Sequence, residues 1–391
     1  MDSSEQGLLA LLTERGVSRR SFLKFTSAMA AALSLPPLYG ARIAKALEAA
    51  PRVPVIWLEG QDCAGNTEAF LRASHPTVAE LVLDTLSVDY HETIMSPAGT
   101  AAEKSRQDTM AAFKGKYIAV VEGAVPTGAG GIYCTVGGRT FESVVQEVCG
   151  NALATIAVGS CAFDGGLPAA NGGPTGATGV VSIVPSAKVI NLPGCPMNVQ
   201  NLTATIVHYL TFGQFPATDS MGRPLFAYGQ LIHDQCERRA HFDAGRYVQA
   251  WGDEGHRQGW CLYKMGCKGP ETFANCPTAR FNDGTSWPVK AGHGCVGCTM
   301  PRFWDQMGPF YRRLASVPGF PTDATADQIG LALVGGVTGL SVLHGVGSYA
   351  RRKRADRAET RAATAASAPP SPPPLDDRLG GDGLDTNGRI G

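Results

Sequence analysis

The chain has 391 residues, a formal net charge of +0 and 44% hydrophobic residues. It is long enough to bury a sizeable core in two domains, and its balanced charge excludes the global basic field expected of a nucleic-acid partner. Its 11 cysteines are too few for a small disulfide scaffold and many for an ordinary enzyme.

The first element is a leader. Arg19-Arg20 precede Phe22-Leu23, an apolar stretch from Phe25 to Leu38, and small residues around Ala44-Lys45-Ala46. A charged region, an apolar region and a small-residue cleavage site in that order describe an export signal. The stretch "SRRSFLK" matches the twin-arginine pattern, so residues 1–46 are expected to be a signal peptide standing outside the fold and read by the twin-arginine export machinery. That route carries folded proteins, which points to a cofactor inserted before export.

From residue 53 to 215, short apolar runs alternate with helical patterns. Val53–Leu58, Leu81–Val88, Tyr117–Glu122, Ala154–Gly159 and Lys188–Leu192 read as buried strands; Glu68–Arg72, Ala101–Phe113, Thr140–Cys149 and Met197–Leu210 supply helices. Such alternation predicts a doubly wound parallel sheet, with ligands beyond the carboxyl ends of its strands. Cys63, Cys161 and Cys195 fall at those ends.

From His233 the texture changes to Gly, Pro, Asn and aromatics with little periodicity. His233, Cys236, Cys261 and Cys267 come first, then Cys276, Cys295 and Cys298. A segment with so little regular patterning is expected to be ordered by metal. Disulfides, zinc and iron–sulfur clusters compete here. A His-Cys-Cys-Cys set suits tetrahedral zinc, but the remaining three cysteines suit a cluster with one corner missing.

The last element runs from Ile329 to Ala350 without a charge when His344 is neutral, and Arg351-Arg352-Lys353-Arg354 follow at once. About 20 apolar residues span a bilayer as a helix, and the basic cluster should stay cytoplasmic. A buried core helix is the alternative. Residues after Ala363 are rich in Pro, Ala and Gly and read as a disordered tail.

The segments "IWLEGQDC", "GSCA", "NLPGCPMN", "IHDQCERRAHFDAG", "GWCLYKMGCKGPETFANCPTARFN" and "SWPVKAGHGCVGC" together carry a specific resemblance. From Val55 to about Phe310 the chain resembles the small, electron-transferring subunit of membrane-bound nickel–iron uptake hydrogenases. The resemblance implies an α/β fold: a flavodoxin-like doubly wound parallel sheet (47–215), a loop-rich iron–sulfur domain (216–326), a transmembrane anchor (327–350) and a cytoplasmic tail (351–391). It implies a proximal 4Fe–4S cluster on Cys63, Cys161 and Cys195. A distal 4Fe–4S cluster would take His233, Cys236, Cys261 and Cys267, with the histidine toward solvent. A medial 3Fe–4S cluster would take Cys276, Cys295 and Cys298, with Pro288 in the place of a fourth ligand. Cys134 and Cys149 are left as core thiols.

One departure stands out. The family's first motif reads Cys-x-x-Cys, whereas "DCAGNTE" places Asn66 at the second cysteine. Water, Asp62, Asn66 and Cys149 are the candidates to complete the site. Oxygen-tolerant members carry two further cysteines here, at positions that are Gly65 and Gly166 in this chain, so that mechanism is not supported.

The function implied is relay of electrons from H2 oxidation to a membrane acceptor. No residue of this chain is expected to be catalytic, because the nickel–iron site lies on a separate large subunit. The expected partners are that large subunit and a cytochrome b or other membrane acceptor subunit, with His344 a candidate ligand of a shared haem b. The expected location is the periplasmic side of the inner membrane, with no nucleic acid bound. The alternatives are an exported structural zinc module and a cluster-bearing subunit of a non-hydrogenase oxidoreductase.

Overall fold

A computed structural model describes residues 18–49, 52–73, 86–282, 284–312 and 326–367. The chain divides into one unit up to Ala326 and a second from Asp327.

Helices α1 (Arg19–Ala32) and α2 (Tyr39–Ala49) open the first unit. The Ser18 side chain caps α1 by accepting from the Ser21 N–H, which satisfies one of the orphan donors of a helix start. Phe22, Phe25, Met29 and Leu33 on α1, with Ile43 and Leu47 on α2, recur at helical spacing and are buried. They pack against Ala204 and Val207. Each large apolar side chain buried this way contributes about 1.5–3 kcal/mol. Residues 18–49 therefore lie against the body, and do not stand apart as the export pattern led us to expect.

The body is a sheet of five parallel strands: β1 (Val53–Glu59), β2 (Leu86–His91), β3 (Ile118–Glu122), β4 (Ala154–Val158) and β5 (Val189–Leu192). Their order is β2-β1-β3-β4-β5, and every neighbouring pair is parallel. Expectation and structure agree closely for four strands. The second lies further along than expected, at Leu86–His91, and residues 81–85 of the expected run fall outside the described residues.

Both faces of the sheet are covered, as a parallel sheet requires. Val55, Trp57, Ile118, Val120, Ile156 and Ile190 face one core. Ile56, Leu58, Ala119, Val121 and Ala157 face the other, under helix α5 (Phe141–Gly150), the fifth after α3 (Gly65–Leu71) and α4 (Thr100–Ala112). Helix α6 (Gly159–Asp164) follows β4 directly. Helix α7 (Val199–Phe212) presents Leu202 and Ile206 to the sheet and Ala204 and Val207 to the N-terminal hairpin. A helix apolar on opposite sides is buried between layers.

The cysteine-rich segment carries one small cluster of its own, Tyr247, Cys261 and Tyr263 with Phe242 against them, and otherwise shares the main core. Tyr228, Ile232, Val248, Leu262, Trp287 and Val289 extend the first sheet core without a break. Apolar burial therefore orders this segment beyond what its weak periodicity suggests, because its large side chains are spaced along loops and not along a helix or strand.

The second unit is one helix, α8 (Ala326–Ala366). Leu331, Val334, Val337, Leu340 and Leu343 are all more than half exposed. A core helix of a soluble protein would bury them; this one is long and apolar enough to cross a membrane. It runs past Ala350, where the span was expected to give way to a tail, through to Ala366. The residues there are mostly Ala, Arg, Lys and Glu, which favour helix.

Candidate metal centres

Three cysteines gather at the carboxyl edge of the sheet. Cys63 follows β1, Cys161 lies in the first turn of α6 directly after β4, and Cys195 follows β5. Burial pushes the Cys161 thiol up to about 12, with Cys195, Cys63 and Asp62 adding to the rise, so these groups share one electrostatic neighbourhood. The Leu167 N–H donates to the Cys161 sulfur. Cys63 and Cys195 are exposed on this chain. A Cβ added at Gly65 would lie 3.0 Å from the Cys63 sulfur, and one at Gly166 2.8 Å from the Cys161 sulfur. Both glycines therefore border the thiols closely.

Asn66 is occupied elsewhere. Its Oδ1 accepts from the Met197 N–H at 2.8 Å, and its Nδ2 donates to Glu122 Oε1 at 3.1 Å. The Asn66 N–H donates to the same carboxylate oxygen at 2.8 Å, while Thr67 donates to Oε2 through both N–H and hydroxyl. Glu122 is fully buried, and the donors at the start of α3 compensate its charge. Asn66 thus ties α3 and β3 to the loop carrying Cys195. Cys149 is also elsewhere, in α5 beside Tyr117 and Thr155, which lie at the opposite ends of β3 and β4. It is a core thiol. Of the protein groups considered, Asp62 remains: burial pushes its carboxyl up to about 7, and the Ala64 N–H donates to it at 3.0 Å.

Farther along, His233, Cys236, Cys261 and Cys267 line one small cavity together with Ile232, Tyr263 and Pro270. His233 is not toward solvent on this chain: it is 6% exposed, with the Phe242 ring edge-on at 4.5 Å. Burial and the nearby Arg239 lower its pKa to about 4. A neutral imidazole is the form that ligates metal. Cys276 and Cys295 are buried and Cys298 is partly so, and burial, then Cys267, Cys298 and Cys276, raise Cys295 well above the usual thiol range. Pro288 is exposed between buried Trp287 and Val289.

The three groups are linked by hydrogen bonds. The Ser160 hydroxyl, beside Cys161, accepts from the Gly194 N–H at 3.0 Å and donates to the Cys298 carbonyl, and the Cys295 N–H donates to the Cys267 sulfur at 3.3 Å. Arg238 and Gly297 N–H groups donate to Cys236 and Cys295, each at 3.4 Å. Backbone N–H groups aimed at sulfur suit thiolates that hold iron, whose properties such bonds tune. Among the described residues, no three His, Cys, Asp or Glu side chains converge tightly enough for a single ion. A tetrahedral zinc site needs that convergence. A set of thiols with backbone N–H groups aimed at sulfur fits iron–sulfur clusters.

Sequence reading missed Glu122 and Lys268. Glu122 was visible only as the end of a strand, and Lys268 only as one letter within "GCKGP". His344 lies exposed on α8.

Comparison with known proteins gives the family. Residues 228–311 match the family described as the C-terminal part of the NiFe/NiFeSe hydrogenase small subunit, and residues 63–209 match the NADH ubiquinone oxidoreductase, 20 Kd subunit. The uptake hydrogenase small subunit of Azotobacter vinelandii is 46% identical, over 85% of this chain and 93% of that protein. The quinone-reactive Ni/Fe-hydrogenase small chain of Wolinella succinogenes is 46% identical over 83% and 94%. Among solved structures, the [NiFeSe]-hydrogenase of Dm. baculatum aligns with a TM-score of 0.64 at 33% identity, over 68% of this chain and 100% of that one. Small subunits of this kind carry iron–sulfur clusters, relay electrons and pair with a large subunit that holds the catalytic site. The chain belongs to the family of nickel–iron uptake hydrogenase small subunits.

Proposed function

We propose that this chain is the exported, membrane-anchored electron conduit of its hydrogenase, built as a twin-arginine leader (1–46), a flavodoxin-like domain (47–215), an iron–sulfur domain (216–326), an anchor (327–350) and a cytoplasmic tail (351–391). Cys63, Cys161 and Cys195 would hold a proximal 4Fe–4S cluster, completed by Asp62 or solvent. Cys276, Cys295 and Cys298 would hold a medial 3Fe–4S cluster. His233, Cys236, Cys261 and Cys267 would hold a distal 4Fe–4S cluster. Clusters bound there supply one-electron carriers between the H2-oxidising large subunit and a membrane acceptor.

The chain's own residues set order and insulation. The observation that carries the reading is how closely the three ligand sets adjoin: the Ser160 hydroxyl, beside Cys161, donates to the Cys298 carbonyl, and the Cys295 N–H donates to the Cys267 sulfur at 3.3 Å, which supports the order proximal, medial, distal. Exposure of Cys63 and Cys195 supports burial of that edge under the large subunit. Burial of Cys261, Cys276 and Cys295 keeps water from those thiols. The exposed apolar surface of α8 supports a single membrane crossing, with the body periplasmic and Arg351-Arg352-Lys353-Arg354 cytoplasmic. His344 is the residue on that helix able to ligate a haem b shared with a cytochrome b partner.

Purification from membranes, with metal analysis and mass spectrometry, tests this reading. It expects a nickel-containing partner, abundant iron, no stoichiometric zinc and a mature N-terminus near residue 47. Stoichiometric zinc without iron would replace it with the structural zinc module.

A further inference from the structure

Lys268 is a buried cation between two ligand sets. It is 1% exposed, although lysine is rarely buried without a partner. It follows Cys267 in sequence, and its backbone N–H donates to the Cys295 carbonyl at 2.8 Å. The Cys295 N–H returns a bond to the Cys267 sulfur. Lys268 therefore sits where the distal and medial sets touch.

Its ammonium is held by neutral groups. Nζ donates to the Pro309 carbonyl at 3.2 Å and to the Arg312 carbonyl. The backbone is pressed close on this side: a Cβ at Gly266 would lie 2.4 Å from the Phe310 carbonyl oxygen and 2.5 Å from the Arg312 nitrogen. Among the described residues no carboxylate makes an ion pair with Lys268. Glu271, three residues on, is its strongest electrostatic partner but makes no ion pair with it. Carbonyl dipoles stabilise the ammonium but leave its net charge, and a charge in a dry, packed site is screened far less than one in water. Cys267 and Cys295 also interact with it electrostatically, after Glu271.

We propose that Lys268 is a positioning and tuning residue of the relay: its fixed positive charge at the junction of Cys267 and Cys295 raises the reduction potentials of both the distal and the medial site. The reduced form of each site carries one more negative charge than the oxidised form, so a nearby cation favours reduction. Placed at the junction, one charge moves both sites in the same direction and keeps them matched. The proximal site lies beyond the medial set and is affected least. The inference rests on the ligand sets proposed above.

The test is potentiometric titration, followed by electron paramagnetic resonance, of the intact complex carrying Lys268→Met or Lys268→Arg. Lys268→Met keeps length and burial but removes the charge. With iron content unchanged, it should lower the medial and distal potentials and leave the proximal one in place, while Lys268→Arg should keep all three near their original values. Unchanged medial and distal potentials in an iron-replete Lys268→Met complex would overturn the proposal. If Lys268→Met fails to assemble, Lys268→Arg decides: assembly with original potentials supports a charge requirement, whereas lost clusters or lowered potentials show that shape is what matters. Absence of cluster signals in the unmodified complex would instead refute the ligand sets.

Discussion

The backbone N–H of Cys295 donates to the sulfur of Cys267 across 3.3 Å. Two residues distant in sequence and assigned to different clusters are thus separated by a single hydrogen bond. On the other side of the medial set, the hydroxyl of Ser160, next to Cys161, donates to the Cys298 carbonyl. Electron relay needs short, rigid gaps between carriers, and here the gaps are closed by hydrogen bonds from or to backbone groups, whose position the fold fixes.

Asn66 is expected to act as a tie. Asn66→Ala removes the bonds to Met197 and to Glu122, leaving a buried carboxylate with fewer donors. A loss of about 1–3 kcal/mol follows from such unmet buried groups. Iron at the proximal site should remain, because its thiolates are untouched. Iron analysis with thermal unfolding checks both parts; loss of one cluster with stability unchanged would make Asn66 a ligand.

Asp62 and solvent are separated by a second substitution. If the carboxylate completes the proximal site, Asp62→Ala should shift the potential of that site alone, with medial and distal signals unmoved. An unshifted proximal potential assigns the position to solvent.

The N-terminal hairpin makes a separate prediction. Ala44, within the expected cleavage site, is 8% exposed and lies inside α2. Cleavage therefore requires the hairpin to leave α7. Val207→Asp places a charge in its packing surface and should make the Leu33–Tyr39 connection markedly more sensitive to limited proteolysis in the precursor. Equal resistance in both precursors would show that the packing does not hold the leader.

Glu92 gives a pH dependence. Burial, then the neighbouring Glu59 carboxylate, push its carboxyl from 4.5 up to about 7. A carboxyl raised in the folded state contributes its stability fully below about 4.5 and loses it as pH rises through about 7. Compared with Glu92→Gln, the native complex should lose roughly 1–3 kcal/mol across that window. The difference in Tm between the two complexes, followed from pH 5 to 8, measures it; a constant difference would mean that Glu92 is ionised throughout.

Much of this was legible in the sequence because the signals were local. Strands β1, β3, β4 and β5 are apolar runs that declare a buried parallel sheet, and strand-end positions put Cys63, Cys161 and Cys195 at one edge. What was not legible depended on contacts distant in sequence. Asn66 looked like a failed ligand until Glu122 and Met197 appeared around it, 56 and 131 residues away. The burial of His233 follows from Phe242, and Lys268 gains its setting from Pro309 and Arg312. The packing of Phe22 and Met29 was hidden because the same apolar residues serve equally well in an export signal.

The most direct measurement for the three-site relay is an oxidative and reductive titration of the membrane-purified complex, read by electron paramagnetic resonance together with iron and sulfide content. The account predicts a 3Fe–4S signal in the oxidised protein that disappears on reduction. It also predicts signals from two further clusters as the potential falls, with iron and sulfide matching two 4Fe–4S clusters and one 3Fe–4S cluster. A colourless protein with stoichiometric zinc, or iron sufficient for only one cluster, would contradict it.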